Sequence, residues 1–407
     1  MATRADQLND RQTRWLDRFP DMGTGPIPVE RLLDPGYFEL EREKIFKRAW
    51  LHVGRVEQIP EEGDWFVQDI AAARTSIIIV RGEDGEIRAF HNVCRHRGSK
   101  LAMRPKGSGA GMFACRFHGW TYNSEGTLVH VPQEEHYYEP LCGRKNLIPV
   151  ACDIWEGFIF INLQPEPAES LREFLGPAWD RFAGYPFHAL TKEWNYRGDI
   201  KANWKVVMDS QAEGIHAPYV HTLPWPTLFT SPDSPFANYL DIDFFGNHRT
   251  YTMAAGTAFQ PSPVEALALS MGPAISASGE AAFASCGKLN PTGDPNWSFD
   301  CLALYPNMLI YCFGGVYHTH QFWPIDATTT TWDLRMHLPQ ARKASEVFSQ
   351  EHAKVFLRDP FLEDGRLNED SQQALESGAV DELYLQDDEA LIRHCYWVAH
   401  KAVMAED

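Results

Sequence analysis

Long hydrophobic runs are scarce in this chain of 407 residues. The longest apolar stretches, such as residues 76–80, have the length of a strand, so no membrane partner is expected. The opening Met1-Ala2-Thr3-Arg4-Ala5-Asp6 lacks the apolar core of a secretion signal. Positive charge is in short supply: 37 Lys and Arg face 55 Asp and Glu, for a formal charge of -18. Such a surface repels phosphate, which argues against nucleic acid and against anionic membrane. Paired cysteine spacing is missing as well. Cys142, Cys152, Cys286, Cys301, Cys312 and Cys395 are scattered, as expected of buried thiols in a reducing cytoplasm. There is no internal repeat, no Gly-rich dinucleotide fingerprint and no flavin signature, so any oxidation of NAD(P)H falls to another protein.

What is present suffices for packed cores, with 44% hydrophobic and 13% aromatic residues, and the length suggests two domains. From Asp34-Pro35, apolar positions at helical spacing predict a helix ending near Trp50. Over 50–163 short β-branched and aromatic runs alternate with turn signals such as Gly82-Glu83-Asp84-Gly85 and Asn123-Ser124-Glu125-Gly126, the pattern of a compact antiparallel β domain. Pro165-Glu166-Pro167 marks a boundary. Beyond it the spacing predicts a helix over 170–182, strands over 193–199, 244–253, 299–305, 308–313, 318–323 and 328–337, and helices over 344–357 and 387–404. Residues 254–293, rich in Ala, Ser, Gly and Pro, are not assigned. The expected class is α+β, and the expected division is an N-terminal helical segment over 1–45 packing on the second domain, a β domain over 46–165, and a sheet covered by helices over 166–407.

Within the β domain, Cys94-Arg95-His96 is followed by Cys115-Arg116-Phe117-His118. Each half carries one thiol and one imidazole, so two short loops can close on one inorganic centre from opposite sides. A Rieske 2Fe-2S cluster needs two thiolates on one iron and two imidazoles on the other. Two Cys and two His also make a tetrahedral zinc site, but zinc modules group their thiols before the histidines. The runs Cys94-Arg95-His96-Arg97-Gly98 and Cys115-Arg116-Phe117-His118-Gly119-Trp120, with Tyr122, resemble the large (alpha) subunit of Rieske non-haem iron oxygenases, the ring-hydroxylating dioxygenases and demethylases.

A second group of ligand-type residues lies in 209–221. If that segment is helical, Asp209, Glu213 and His216 fall at i, i+4 and i+7 on one stripe, and Pro218 brings His221 round from a following loop. Two histidines and a carboxylate on one face of an iron, with the other face open, is the ligand set of non-haem Fe(II) oxygenases. The resemblance implies His216 and His221 as ligands, matched on Glu213-x-x-His216-x4-His221. The family's third ligand is an Asp before a helix with Glu and Gln at fixed offsets. Asp364, with Glu369 and Gln372, matches it, with Asp370 and Glu363 in reserve. Taken singly, each of these is more often a surface charge or an ordinary histidine, and His91, His130, His136, His318 and His320 are read as structural.

The resemblance further implies a Rieske 2Fe-2S cluster and a mononuclear Fe(II), with O2 and electrons from a ferredoxin and/or an NAD(P)H-dependent reductase. It also implies a homotrimer in which Glu213, with Asp209 beside it, links His118 of a neighbouring chain to His216. The implied activity is that of a terminal oxygenase that hydroxylates, dihydroxylates or dealkylates a small apolar, aromatic molecule, as in aromatic hydrocarbon catabolism. The alternatives are a Rieske electron-transfer protein without oxygenase activity and a zinc-binding interaction module. Leu223, Trp225, Phe313 and Phe361 are candidate pocket residues, with core packing as their bland role. Arg95, Arg97, Lys100, Arg104, Lys106 and Arg116 form a local basic excess, readable as a docking face for an acidic partner or as support for the loops.

Overall fold

Ile77, Ile78, Ile79 and Val80 are all fully buried, so the strand that carries them is covered on both faces, and a layered β domain is built around it. A computed structural model describes residues 14–109, 111–223, 239–254, 260–272 and 288–406. The chain divides into two units, residues 42–174 and residues 1–41 with 175–407.

The unit over 42–174 is antiparallel β. Its strands are β1 (Leu51–Arg55), β2 (Trp65–Ile70), β3 (Thr75–Arg81), β4 (Ile87–His91), β5 (Lys106–Gly107), β6 (Phe113–Ala114), β7 (Thr121–Tyr122), β8 (Leu128–His130), β9 (Pro149–Trp155) and β10 (Phe158–Asn162). Seven of them form one sheet in the order β1-β10-β9-β4-β3-β2-β5, and β6-β7-β8 form a second. Cys94, Cys115, Trp120 and Tyr122 share one hydrophobic cluster with Ile78, Val80, Phe90, Phe113 and Leu128. The two thiol-bearing loops therefore stand on a packed base.

The other unit holds a seven-stranded sheet whose neighbours all pair antiparallel. Its strands are β11 (Lys192–Ile200), β12 (Tyr239–Phe245), β13 (His248–Ala254), β14 (Trp297–Leu304), β15 (Met308–Cys312), β16 (Tyr317–Asp326) and β17 (Thr329–Leu338), in the order β11-β17-β16-β15-β14-β13-β12. The helices of this unit that matter below are α1 (Pro35–Glu41), α2 (Trp204–Asp209), α3 (Ala217–Val220), α4 (Ala344–Glu376) and α5 (Ala390–Met404). The class is α+β, as expected.

Several expectations about single elements need correction. The helix from Pro35 stays α-helical only to Glu41 and closes with a π-helical turn over Arg42–Phe46. The strand expected over 244–253 is a hairpin, because Gly246 at φ 62° turns β12 into β13. The expected helix over 170–182 is α-helical only over Leu171–Leu175 and then 3-10 over Gly176–Asp180. The largest difference is α4, which runs unbroken to Glu376 through Pro360. Its buried positions are Ser349, Gln350, Ala353, Leu357, Pro360, Asp364, Gly365, Asn368 and Gln372, a continuous helical stripe. Beyond Leu357 that stripe turns polar, so apolar periodicity stops there although the helix does not.

Candidate metal centres

The two thiol loops are folded alike. Cys94 N donates to Ser99 O at 2.8 Å and Gly98 N to Cys94 O at 3.0 Å; Cys115 N donates to Trp120 O at 2.8 Å and Gly119 N to Cys115 O at 2.9 Å. Gly98 and Gly119 adopt φ of 79° and 74°, a left-handed conformation that a side chain resists. Each loop thereby turns back within one cysteine's reach. Cys94 and Cys115 are buried, 2% and 3% exposed. The His96 and His118 rings lie 4.6 Å apart, centroid to centroid. His96 is stacked on Trp120 at 4.9 Å and its Nε2 lies 3.5 Å from the Tyr137 hydroxyl, so its other nitrogen is free to point inward.

The thiols are prepared as ligands. Burial pushes the Cys94 thiol up, opposed by the His96 N–H and the Tyr122 hydroxyl. At Cys115 burial also pushes upward, but the N–H groups of Phe117 and His118 outweigh it and lower the pKa. Backbone donors aimed at sulfur suit thiolates held on a cluster. Two buried thiols and two imidazoles on matching loops fit a Rieske cluster.

Of the basic side chains around these loops, Lys100 pairs with Asp69 at 2.8 Å, Arg95 donates to Asn146 O at 3.0 Å and Arg97 lies over the Phe117 ring at 5.2 Å. Arg104, Lys106 and Arg116 are exposed.

In the other unit, α2 stops at Asp209 and α3 begins at Ala217, so the expected single stripe of Asp209, Glu213 and His216 does not form. Residues 210–216 are irregular, and tyrosine hydroxyls satisfy the carbonyls this exposes: Tyr251 and Tyr311 donate to Gln211 O at 3.0 and 2.6 Å, and Tyr239 donates to Ala212 O. Asp209 ends up apart, partly buried with its Oδ1 inside, and Tyr396 donates to its Oδ2 at 2.7 Å. Glu213 instead reaches His216, with Oε1 2.5 Å from Nδ1.

His216 Nε2 and His221 Nε2 lie 3.3 Å apart, and Asp364 Oδ1 lies 3.4 and 3.2 Å from them. Asp364 Oδ1 is buried with no regular hydrogen bond, while Oδ2 accepts from Gln211 Nε2 at 2.8 Å. Three donor atoms at such spacing can close on one ion with bonds of roughly 2.1 Å and angles at the ion of about 100°, leaving its opposite side open. The other ring nitrogens are held outward, His216 Nδ1 by Glu213 and His221 Nδ1 by Glu363 Oε2 at 2.9 Å. Burial pulls the His216 pKa down, but the Asp364 and Glu213 carboxylates outweigh it and raise it to about 10. A cation there is strongly favoured, and two histidines with a carboxylate suit Fe(II).

Asp364 was expected to stand before a helix but sits within α4. Glu369 Oε1 accepts from Lys201 N and Gln372 Oε1 from Asn203 N, both at 3.0 Å, so these offsets fasten the chain at the start of α2. Of the reserve carboxylates, Glu363 holds His221 and Asp370 pairs with Arg366 at 3.2 Å.

A pocket opens on this site, lined by Phe299, Phe313, Phe356, Phe361, His318 and Tyr311 among others. Phe313 and Phe361 were expected there. Leu223 is instead 84% exposed, and Trp225 lies outside the described residues. Gln211 and His318 were missed. Only the His318-x-His320 alternation on a strand could have flagged the latter.

Residues 187–404 match the family described as ring hydroxylating alpha subunit (catalytic domain), and residues 49–149 match the Rieske [2Fe-2S] domain. The chain is 35% identical over 217 residues to the glycine betaine monooxygenase oxygenase subunit of Chromohalobacter salexigens, covering 53% of this chain and 45% of that one. It is 30% identical over 218 residues to the anthranilate 1,2-dioxygenase large subunit of Acinetobacter baylyi, covering 51% and 44%. The chain thus spans about half the length of the curated relatives it matches. Among solved structures, naphthalene 1,2-dioxygenase from Rhodococcus sp. superposes with a TM-score of 0.73 at 22% identity over 100% of both chains. The carnitine-bound quaternary ammonium Rieske monooxygenase CntA superposes with 0.71 at 18% identity, covering 94% and 97%. The chain belongs to the ring-hydroxylating alpha-subunit family and carries both a Rieske [2Fe-2S] domain and the catalytic domain.

Proposed function

We propose that this chain is the terminal oxygenase component of a multicomponent Rieske system, oxidising an apolar, aromatic substrate with O2 and electrons that a ferredoxin or reductase draws from NAD(P)H. The observation that carries it is the triangle of His216 Nε2, His221 Nε2 and Asp364 Oδ1, with edges of 3.2–3.4 Å, at an aromatic pocket in a chain that also has Rieske loops. A plain electron carrier needs no such triangle. Cys94, Cys115, His96 and His118 would hold the 2Fe-2S cluster, and His216, His221 and Asp364 the iron. Bound iron supplies the site at which dioxygen is activated, and the cluster supplies electrons one at a time.

The protein's part is positioning. Glu213 and Glu363 fix the two imidazoles and Gln211 fixes Asp364, so the fourth side is left to substrate and oxygen. The pocket's carboxylates, Glu213 and Asp364, both face the histidines. Its rings suit an aromatic guest, and rings also attract a quaternary ammonium group, but among the described residues the pocket offers such a cation no further negative charge. Relatives named for betaine and for anthranilate make this choice testable.

Side-chain exposure rises from 3–4% at Asp364 and His221 to 9% at Glu213 and 16% at His216. Glu363, which holds His221, is more exposed still at 28%, so exposure alone singles out no route, and the part given to Glu213 and His216 rests on the family resemblance. In a homotrimer, a ring closed head to tail, Glu213 would bridge His216 to His118 of the partner subunit. Arg104, Lys106 and Arg116 offer a face to an acidic electron donor, and the reducing cytoplasm is the compartment that suits the unpaired thiols.

Metal analysis of reconstituted protein should find about three irons per chain; two would leave only an electron carrier. A screen of aromatic and quaternary ammonium compounds with a surrogate reductase, following NADH use against product, then tests the substrate class. Replacing Glu213 with Gln should weaken iron binding no more than the same change at Glu363 and, with iron supplied to saturation, slow reduction of the mononuclear site by about 10–100-fold. Sedimentation tests the trimer.

A further inference from the structure

His318 and His320 alternate on β16 and so face the same side of the sheet. Trp332, on β17, points its indole Nε1 at His320 Nδ1 over 3.1 Å. An indole N–H only donates, so His320 Nδ1 must carry no proton. The proton of His320 is then on Nε2, which faces His318 Nδ1 at 2.9 Å and donates to it. His318 in turn must carry its proton on Nε2. An imidazolium at either position would set two N–H groups against each other, so both rings are neutral. Burial acts in the same direction, holding His318 down at about 3 and His320 well below its ordinary value.

The Nε2–H of His318 is buried and finds no acceptor among the described residues, and its ring lines the pocket beside the ligand triangle. The rings around the pair are Tyr311, stacked on His318 at 4.5 Å, Phe313 at 5.2 Å, and Phe361, 4.9 Å from His320. The Tyr311 hydroxyl is already committed to Gln211 O. A buried donor without an acceptor is costly, and here the Trp332–His320–His318 chain fixes which nitrogen bears it.

We propose that His318 is the specificity-determining residue of this pocket, its Nε2–H binding an oxygen acceptor (carbonyl, ether or hydroxyl) on an otherwise apolar aromatic substrate, with His320 and Trp332 as positioning residues that set its tautomer. This rests on the reading of the pocket as the substrate site.

The test compares two isosteric probes on the iron-loaded protein by calorimetry: acetophenone, which carries an acceptor, and α-methylstyrene, which does not. Acetophenone gains roughly tenfold in relative affinity from such a bond. That preference should vanish in His318→Phe, survive in part in His318→Gln, whose amide still donates, and weaken in Trp332→Phe, which frees the other tautomer. An unchanged ratio of the two dissociation constants in His318→Phe overturns the proposal, and so does failure of acetophenone to bind the unaltered protein. Iron content and NADH-coupled turnover are read alongside. A flat ratio with three irons and coupled turnover removes the donor alone, whereas missing iron removes the oxygenase reading and leaves the ratio to be judged separately.

Discussion

Asp364 Oδ1 lies 3.2 Å from His221 Nε2, and the residue before it in the chain, Glu363, holds the opposite nitrogen of the same ring at 2.9 Å. Consecutive residues of one helix are thus placed for different parts: Asp364 would face an iron, while Glu363 aims the ring. Replacing Asp364 with Ala should cut iron from about three to about two per chain and leave the cluster's visible spectrum unchanged. Replacing Glu363 with Gln should weaken iron binding by about 10–100-fold without abolishing it. Full iron occupancy in the Asp364 variant would show that another carboxylate is the ligand.

The Tyr122 hydroxyl accepts from Arg95 N at 3.0 Å and lies 3.6 Å from Cys94 Sγ. Its oxygen being engaged, its proton is directed at sulfur. Hydrogen bonds to cluster sulfurs raise the reduction potential, so Tyr122→Phe should lower it, as read by a spectroscopic redox titration. A potential that does not move would mean that the hydroxyl serves the loop backbone alone.

Glu41 and Lys205 form an ion pair at 2.5 Å with side chains 0% and 1% exposed, and Trp204 Nε1 donates to the other Glu41 oxygen at 3.0 Å. Cutting Glu41 to Ala strands a buried ammonium and should cost about 3–5 kcal/mol, visible as a lower denaturation midpoint. The double change Glu41→Leu with Lys205→Met should recover most of that loss. If the single variant is as stable as the parent, the ammonium must find solvent.

Burial drives the Asp209 pKa from 3.8 up to about 7, against the opposing pull of the Tyr396 hydroxyl. From about pH 4 to about pH 7 the unfolded chain has released this proton while the folded chain keeps it. Stability therefore falls as pH rises across that window and levels off above it, by about 4 kcal/mol at most. Asp209→Asn should flatten this part of the profile and be the more stable form at pH 8. Parallel urea profiles of the two proteins would count against this account.

Both groups of candidate ligands were legible in the sequence where their members lie close together. Cys94, His96, Cys115 and His118 sit in loops of fixed pattern with a glycine at the same offset from each cysteine, and His216 and His221 flank one short turn. Strand positions were legible too, because alternation and turn chemistry are local.

Tertiary structure alone decided the rest. The length of α4 was hidden because its buried stripe beyond Leu357 is made of Asp364, Asn368 and Gln372, which pay for burial by bonding to Gln211, Ser210 and Asn203 rather than by being apolar. The break after Asp209 was hidden for a related reason: the carbonyls released there are satisfied by Tyr239, Tyr251 and Tyr311, far along the chain. His318 reads as an ordinary core histidine until Trp332 and His320 fix its proton. A sequence specifies where groups can stand, but which hydrogen bonds remain unmade is settled only when distant elements meet.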